Sequence, residues 1–125
     1  MEPIILPPGD GRAYQLGALR GVFKADGRET GDAYCASEWS VAPHGKGPGP
    51  HHHDANEEVF IVSEGTMTFL IGDEWIEAPR GTFVRIPPGM THDFENNSGA
   101  PASAFNFFLP GGFEASLRAW LSPSA

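Results

Sequence analysis

Three histidines and one carboxylate stand at spacings in this chain that suit a metal ion. His51 and His53 lie two residues apart, Glu58 follows five residues later, and His92 ends the run Pro87-Pro88-Gly89-Met90-Thr91-His92. On an extended segment, residues two apart project to one face, so the rings of His51 and His53 should point together and that of His52 away. Imidazole and carboxylate suit Fe, Mn, Ni, Cu, Co or Zn, and four protein ligands leave positions open on a metal that takes five or six. The expectation is one divalent transition-metal ion held by His51, His53, Glu58 and His92, its identity not selected by the ligand set. His44 fits no ligand position and sits before a Gly/Pro run, so it is expected in an exposed loop.

The spacing is more specific than the residue types. From Gly45 the chain reads Gly, five residues, His51, one residue, His53, four residues, Glu58, six residues, Gly65. From Gly81 it reads Gly, five residues, Pro87, one residue, Gly89, two residues, His92, three residues, Asn96. These strings resemble both conserved motifs of the cupin family at every defined position. Arg28-Glu29-Thr30-Gly31 and the ending Leu109-Pro110-Gly111-Gly112-Phe113-Glu114 are further similar to small single-domain cupins grouped with the quercetin dioxygenases. Only one pair of motifs is present, which implies a single cupin unit. The likeness to quercetinases also implies a catalytic role for Glu58, as a general base beyond its part in holding the metal.

The elements that must position these residues are short. Strand-like runs fall at Ala13–Leu19, Gly21–Ala25, Ala33–Val41, Glu58–Ser63, Thr66–Ile71, Glu74–Glu77, Thr82–Ile86, Thr91–Asn96 and Ala102–Leu109. Gly72-Asp73 between two runs predicts a two-residue primed turn with glycine first. Pro88-Gly89 suits the central positions of a type II turn, which would deliver His92 onto the next strand. Many short runs broken by glycine and proline predict an antiparallel double-sheet β-barrel or jelly roll, a fold class that also protects its strand edges. The spacing of Phe113, Leu117 and Trp120 or Leu121 predicts a short amphipathic helix over Gly112–Leu121, stopped by Pro123. Residues 1–12, rich in proline and glycine, read as an extended arm ahead of one barrel domain over 13–125.

Composition bounds the rest. A chain of 125 residues supports one core, and nine Phe, three Trp and two Tyr can fill a small barrel. A net charge of −8, with only eight scattered basic residues, argues against nucleic acid or an anionic membrane as partner. Cys35 is the only cysteine, so no intrachain disulfide forms, and its apolar surroundings predict a buried thiol. The N-terminus lacks a basic region and a long apolar core, and no run is long enough to span a membrane, so a cytoplasmic location is expected.

Parity from Glu58 and His92 places Phe60, Val62 and Phe94 as candidate cavity walls, with Met67 and Phe69 as further candidates. Arg85 alternates with Val84 and Ile86, and so is expected outside and away from any anionic substrate. Val59 and Ile61 make the strand after Glu58 apolar on its second face as well, which predicts a cover. Small cupins commonly dimerise through such sheets, so the resemblance favours a homodimer. The function expected is a metal-dependent oxidoreductase, dioxygenase-like, for a small aromatic or enolic substrate. A barrel that binds a metal or small ligand without turnover is the alternative, and a cupin isomerase a third.

Overall fold

The structure, a computed structural model, describes residues 2–112 and 122–123. Its strands are β1 Arg12–Leu16, β2 Leu19–Ala25, β3 Cys35–Val41, β4 Glu57–Glu64, β5 Thr66–Ile71, β6 Glu74–Pro79, β7 Phe83–Ile86, β8 His92–Glu95, β9 Ala102–Leu109 and β10 Ser122–Pro123. One short helix, α1 Gly27–Thr30, lies between β2 and β3. All pairings are antiparallel: β10-β1-β2-β3-β9-β4-β7 form one sheet and β6-β5-β8 the other. This is the double-sheet barrel expected from the turn spacing. No helix among the described residues is long and apolar enough to cross a membrane.

The inner faces supply the core. Phe23, Trp39, Phe60, Val62, Met67, Phe69, Phe94 and Phe108 are buried together. Phe60 packs on Phe69 and Phe94 with ring centroids 5.0 and 5.5 Å apart, inside the range where tilted aromatic pairs attract. Cys35 is buried as a thiol at the start of β3. Arg85 points outward from between buried Val84 and Ile86 and pairs with Glu57 at 2.9 Å.

The turns follow their residues. Ile71 pairs with Glu74 across Gly72-Asp73, and Gly72 takes φ 67° while Asp73 stays out of the positive region. At Pro87-Pro88-Gly89-Met90, Gly89 has φ 82° and the Met90 N–H donates to the Pro87 carbonyl, as a type II turn requires.

One local reading is corrected, and one element was not foreseen. The run Ala13–Leu19 is not one strand: Gly17, at φ 56°, opens a two-residue turn, so that Leu16 pairs with Leu19 and the latter begins β2. Between β2 and β3 the chain forms α1, closed at its start by a capping box in which Asp26 accepts from the Glu29 N–H while Glu29 accepts from the Asp26 N–H. Gly31 ends it with φ 64°. The helix expected over Gly112–Leu121 falls on residues outside those described.

Candidate metal centre

The four expected ligands converge. One donor atom from each of His51, His53, Glu58 and His92 lies within 4.8 Å of the other three. Two donors bound at about 2.0–2.2 Å to one ion can stand up to about 4.3 Å apart, so shifts of a few tenths of an ångström would close this set around a metal. Ring centroids of His51 and His92 are 4.3 Å apart and those of His51 and His53 4.9 Å. His52 points away, exposed and 3.6 Å from Asp54, and His44 lies exposed in its loop.

Backbone contacts hold the imidazoles in place. His51 and His92 exchange both backbone hydrogen bonds, at 3.0 and 2.8 Å, which locks the histidine segment against the start of β8. Gly89 donates its N–H to the His53 carbonyl at 2.9 Å, tying the proline turn to the same segment. The Nδ1 atoms of His51 and His92 lie 2.6 and 2.9 Å from the carbonyls of Gly49 and Met90. A carbonyl only accepts, so both Nδ1 atoms carry the proton and each Nε2 is left with its lone pair for a metal. The Gly49 N–H in turn donates to Asp93 at 3.1 Å. The approach is close: a side chain at Gly47 would overlap the Phe94 carbonyl.

Glu58 enters from the other sheet. Its Oε2 accepts from Asn106 Nδ2 at 2.7 Å, while Oε1 stands 2.8 Å from His92 Nε2 and 3.6 Å from His53 Nε2. Glu58 Oε1 and His92 Nε2 are buried and make no hydrogen bond of good geometry, even with each other. Buried polar atoms held this close without a satisfying bond fit a shared cation between them. Burial pushes the His53 imidazole down to about 4 against the pull of Glu58, and the neighbouring rings of His51 and His92 add to the depression. On His92 burial also disfavours charge, but the Glu58 carboxylate, 2.8 Å from Nε2 though poorly aligned with it, and the Met90 carbonyl outweigh it and raise the ring from its ordinary value. Burial likewise raises Asp93.

A small cavity beside the cluster is lined by His51, His53 and Glu58 together with Leu19, Trp39, Pro48, Phe94, Asn106 and Phe108. Of the expected walls only Phe94 reaches it. Phe60 and Val62 share the inward face of β4 with Glu58 but lie in the core. Each step of two residues along a strand moves about 6.6 Å away from the carboxylate, which carries them past the site. Met67 and Phe69 are core residues too. The walls that sequence parity missed come from β2, β3 and β9. One signal was available: Asn106 is a lone amide on the inward face of β9, which is otherwise Ala102, Ala104 and Phe108.

A double-sheet antiparallel barrel with three imidazoles and a carboxylate gathered inside it defines a class with a possible metal site. Residues 37–108 match the model of the cupin domain, and the chain belongs to the cupin family. A search of curated proteins found no match. Among solved structures, a predicted oxalate decarboxylase of Thermotoga maritima superposes with a TM-score of 0.79 at 10% identity, over 86% of this chain and 99% of that one. The polyketide cyclase RemF of Streptomyces resistomycificus gives 0.76 at 22% identity, over 86% and 80% of the two chains. An RmlC-like cupin of Shewanella frigidimarina gives 0.75 at 15% identity, over 92% and 96%. At these identities the likeness establishes the fold alone.

Proposed function

We propose that this cupin is a metal-dependent oxidoreductase, dioxygenase-like, acting on a small enolic or aromatic substrate, with Glu58 as the residue that takes the substrate proton. One observation carries the reading: the buried Glu58 Oε1 stands among imidazole nitrogens without a satisfying hydrogen bond, beside a cavity with mainly apolar walls. A bound divalent ion would supply Lewis acidity and open positions for a substrate oxygen. His51, His53 and His92 would hold the ion beside Glu58. Glu58 removes the proton of an enolic or phenolic O–H, becoming a neutral carboxyl and leaving the substrate anion. Leu19, Trp39, Phe94 and Phe108 exclude water from that anion.

The cavity volume, about 30 Å³, narrows the substrate. One water needs roughly 10–15 Å³ on this measure, so the space suits a small enol better than a ring. An aromatic substrate requires Trp39, Phe94 or the loop carrying Pro48 to move. The same small volume supports a second reading, a barrel that binds a metal with a small ligand and turns nothing over. Elemental analysis, then oxygen consumption with enolic, catechol and flavonol compounds after reconstitution with each metal, separates the two. Uptake that Glu58→Gln abolishes while metal is retained supports the enzyme. A Glu58→Gln variant with full turnover removes Glu58 from proton transfer. No uptake with any metal, alongside a ligand that raises the melting temperature, leaves the binding module.

We also propose a homodimer through the outer face of the larger sheet. Ile61 and Phe83 pair across β4 and β7 on that face and are 38% and 64% exposed. The N-terminal arm does not cover them: Ile4 and Leu6 line a groove with Phe105 and Phe107 on the neighbouring strand β9, where Phe105 stands directly opposite Ile61, and Ile61 and Phe83 stay exposed with the arm in place. Sedimentation at micromolar concentration should give a mass of two chains, and Ile61→Glu should return one.

A further inference from the structure

We propose that Asn106 is a positioning residue for Glu58, the last link of a one-way hydrogen-bond chain that begins at Trp39 and sets which carboxylate oxygen faces the imidazoles. The proposal rests on the reading that His51, His53, Glu58 and His92 hold a metal. Asn106 is 1% exposed on β9, where the other inward residues are Ala102, Ala104 and Phe108. A buried amide in such a strand is costly unless its polar atoms are matched. Here they are. Asn106 lies opposite Ser37 on β3 and opposite Phe60 on β4, which sets Glu58 diagonally within reach. Its Nδ2 donates to Glu58 Oε2 at 2.7 Å and to the Val59 carbonyl at 3.4 Å. Ser37 Oγ donates to Asn106 Oδ1 at 3.5 Å and accepts from Trp39 Nε1 at 2.9 Å.

The two ends of this chain dictate its direction. An indole N–H only donates, and an ionised carboxylate only accepts. Ser37 therefore uses its lone pair on Trp39 and turns its own hydrogen toward Asn106 in a long contact, while the 2.7 Å approach to a carboxylate fixes the amide with its NH₂ on Glu58. Flipping the amide would set oxygen against oxygen. With Oε2 committed to Asn106, Oε1 is the oxygen left among the imidazole nitrogens, and Glu58 would offer a metal that one oxygen. The terminal torsion of a carboxylate is otherwise broad, so a Glu58 without this donor could turn and offer both oxygens. Trp39 also lines the cavity, so the wall that a substrate touches and the ligand that a metal touches share one set of hydrogen bonds.

Cobalt(II) tests this, because its visible absorption reports the number and geometry of its ligands. Affinity by chelator competition and the absorption bands would be compared for the wild type, Asn106→Leu and Ser37→Ala. Leucine is close to asparagine in size and removes the donor. Asn106→Leu is expected to bind cobalt roughly 10- to 100-fold more weakly, the cost of losing an outer partner of a ligand. Its bands should also change position and intensity, and Ser37→Ala should move both readouts the same way by less. A purely structural role would lower the melting temperature of the metal-free variant and leave the bands of bound cobalt as they are. Wild-type affinity and bands in Asn106→Leu would overturn the proposal while the metal reading stands. If that variant does not fold, the same result in Ser37→Ala overturns it. A wild-type protein that binds no cobalt would overturn the metal reading, and this proposal with it.

Discussion

The two sides of the candidate site are built by different means. On the histidine side, orientation comes from main chain: the Gly49 and Met90 carbonyls fix two rings, and reciprocal backbone bonds join His51 to His92. On the carboxylate side it comes from side chains, with Glu58 set by Asn106 and Asn106 by Ser37. Main-chain partners survive substitution of the residues that carry them, whereas side-chain partners do not. The histidine side should therefore be sensitive at the ligands and tolerant around them. The carboxylate side should be tunable from residues that never touch the metal.

The largest effect expected is at the ligands of the backbone-held side. His92→Ala removes an imidazole that is 2% exposed and leaves Glu58 Oε1 facing a gap. Metal affinity should fall by more than the roughly 10- to 100-fold that loss of an outer partner brings, and metal content after dialysis should fall with it. A His92→Ala protein that retains as much metal as wild type would remove His92 from the centre. Substituting Met90, whose carbonyl rather than side chain orients His92, should by contrast leave metal content close to wild type.

That contrast also marks what was legible in the sequence. The convergence of His51, His53, Glu58 and His92 was, because motif spacing, parity and turn type are readable along the chain. Residues two apart share a face, and Pro88-Gly89 can form only a few turns. The end residues of the two motifs find plain structural uses: the Gly45 carbonyl accepts the Asn96 N–H at 3.0 Å, and the Asn96 amide donates to the Val41 and Ala100 carbonyls, so the two motifs are stitched end to end. The support behind Glu58 was not legible. Its key pairing sets Ser37 beside Asn106, 69 residues apart, and nothing local fixes the register of β3 on β9. Helix α1 was missed for a different reason. Four residues are too few for a periodic pattern, and only Asp26, Glu29 and Gly31, read together as caps, could have shown it.

A smaller effect, visible without metal, lies in the titration of the rings. His53 is held down to about 4 by burial, so between about 4 and its ordinary 6.5 the unfolded chain binds a proton that the folded protein does not. Stability linked to His53 is therefore full above 6.5 and is lost as pH falls through that window. His92 has the opposite sign: its raised value means that its contribution is present below 6.5 and is lost as pH rises through its folded value. Ring signals of the metal-free protein followed by nuclear magnetic resonance should show His53 neutral at pH 6 and His92 still charged above pH 6.5. If both rings titrate together near 6.5, the environments drawn here for the two are wrong.

The smallest effect expected is at His52, and it sharpens the comparison because it sits between two ligands. Its ring points out of the cluster and meets only Asp54, at 3.6 Å, with both side chains largely exposed. A solvent-exposed pair of this kind contributes little to stability. The backbone bonds that lock the segment belong to His51, His53 and His92, and none of them depends on the His52 side chain. His52→Ala should therefore keep metal content, cobalt absorption and melting temperature within error of wild type. A loss of metal approaching that of His92→Ala would mean that the segment presents His52 inward, and the alternation that brings His51 and His53 together would have to be abandoned.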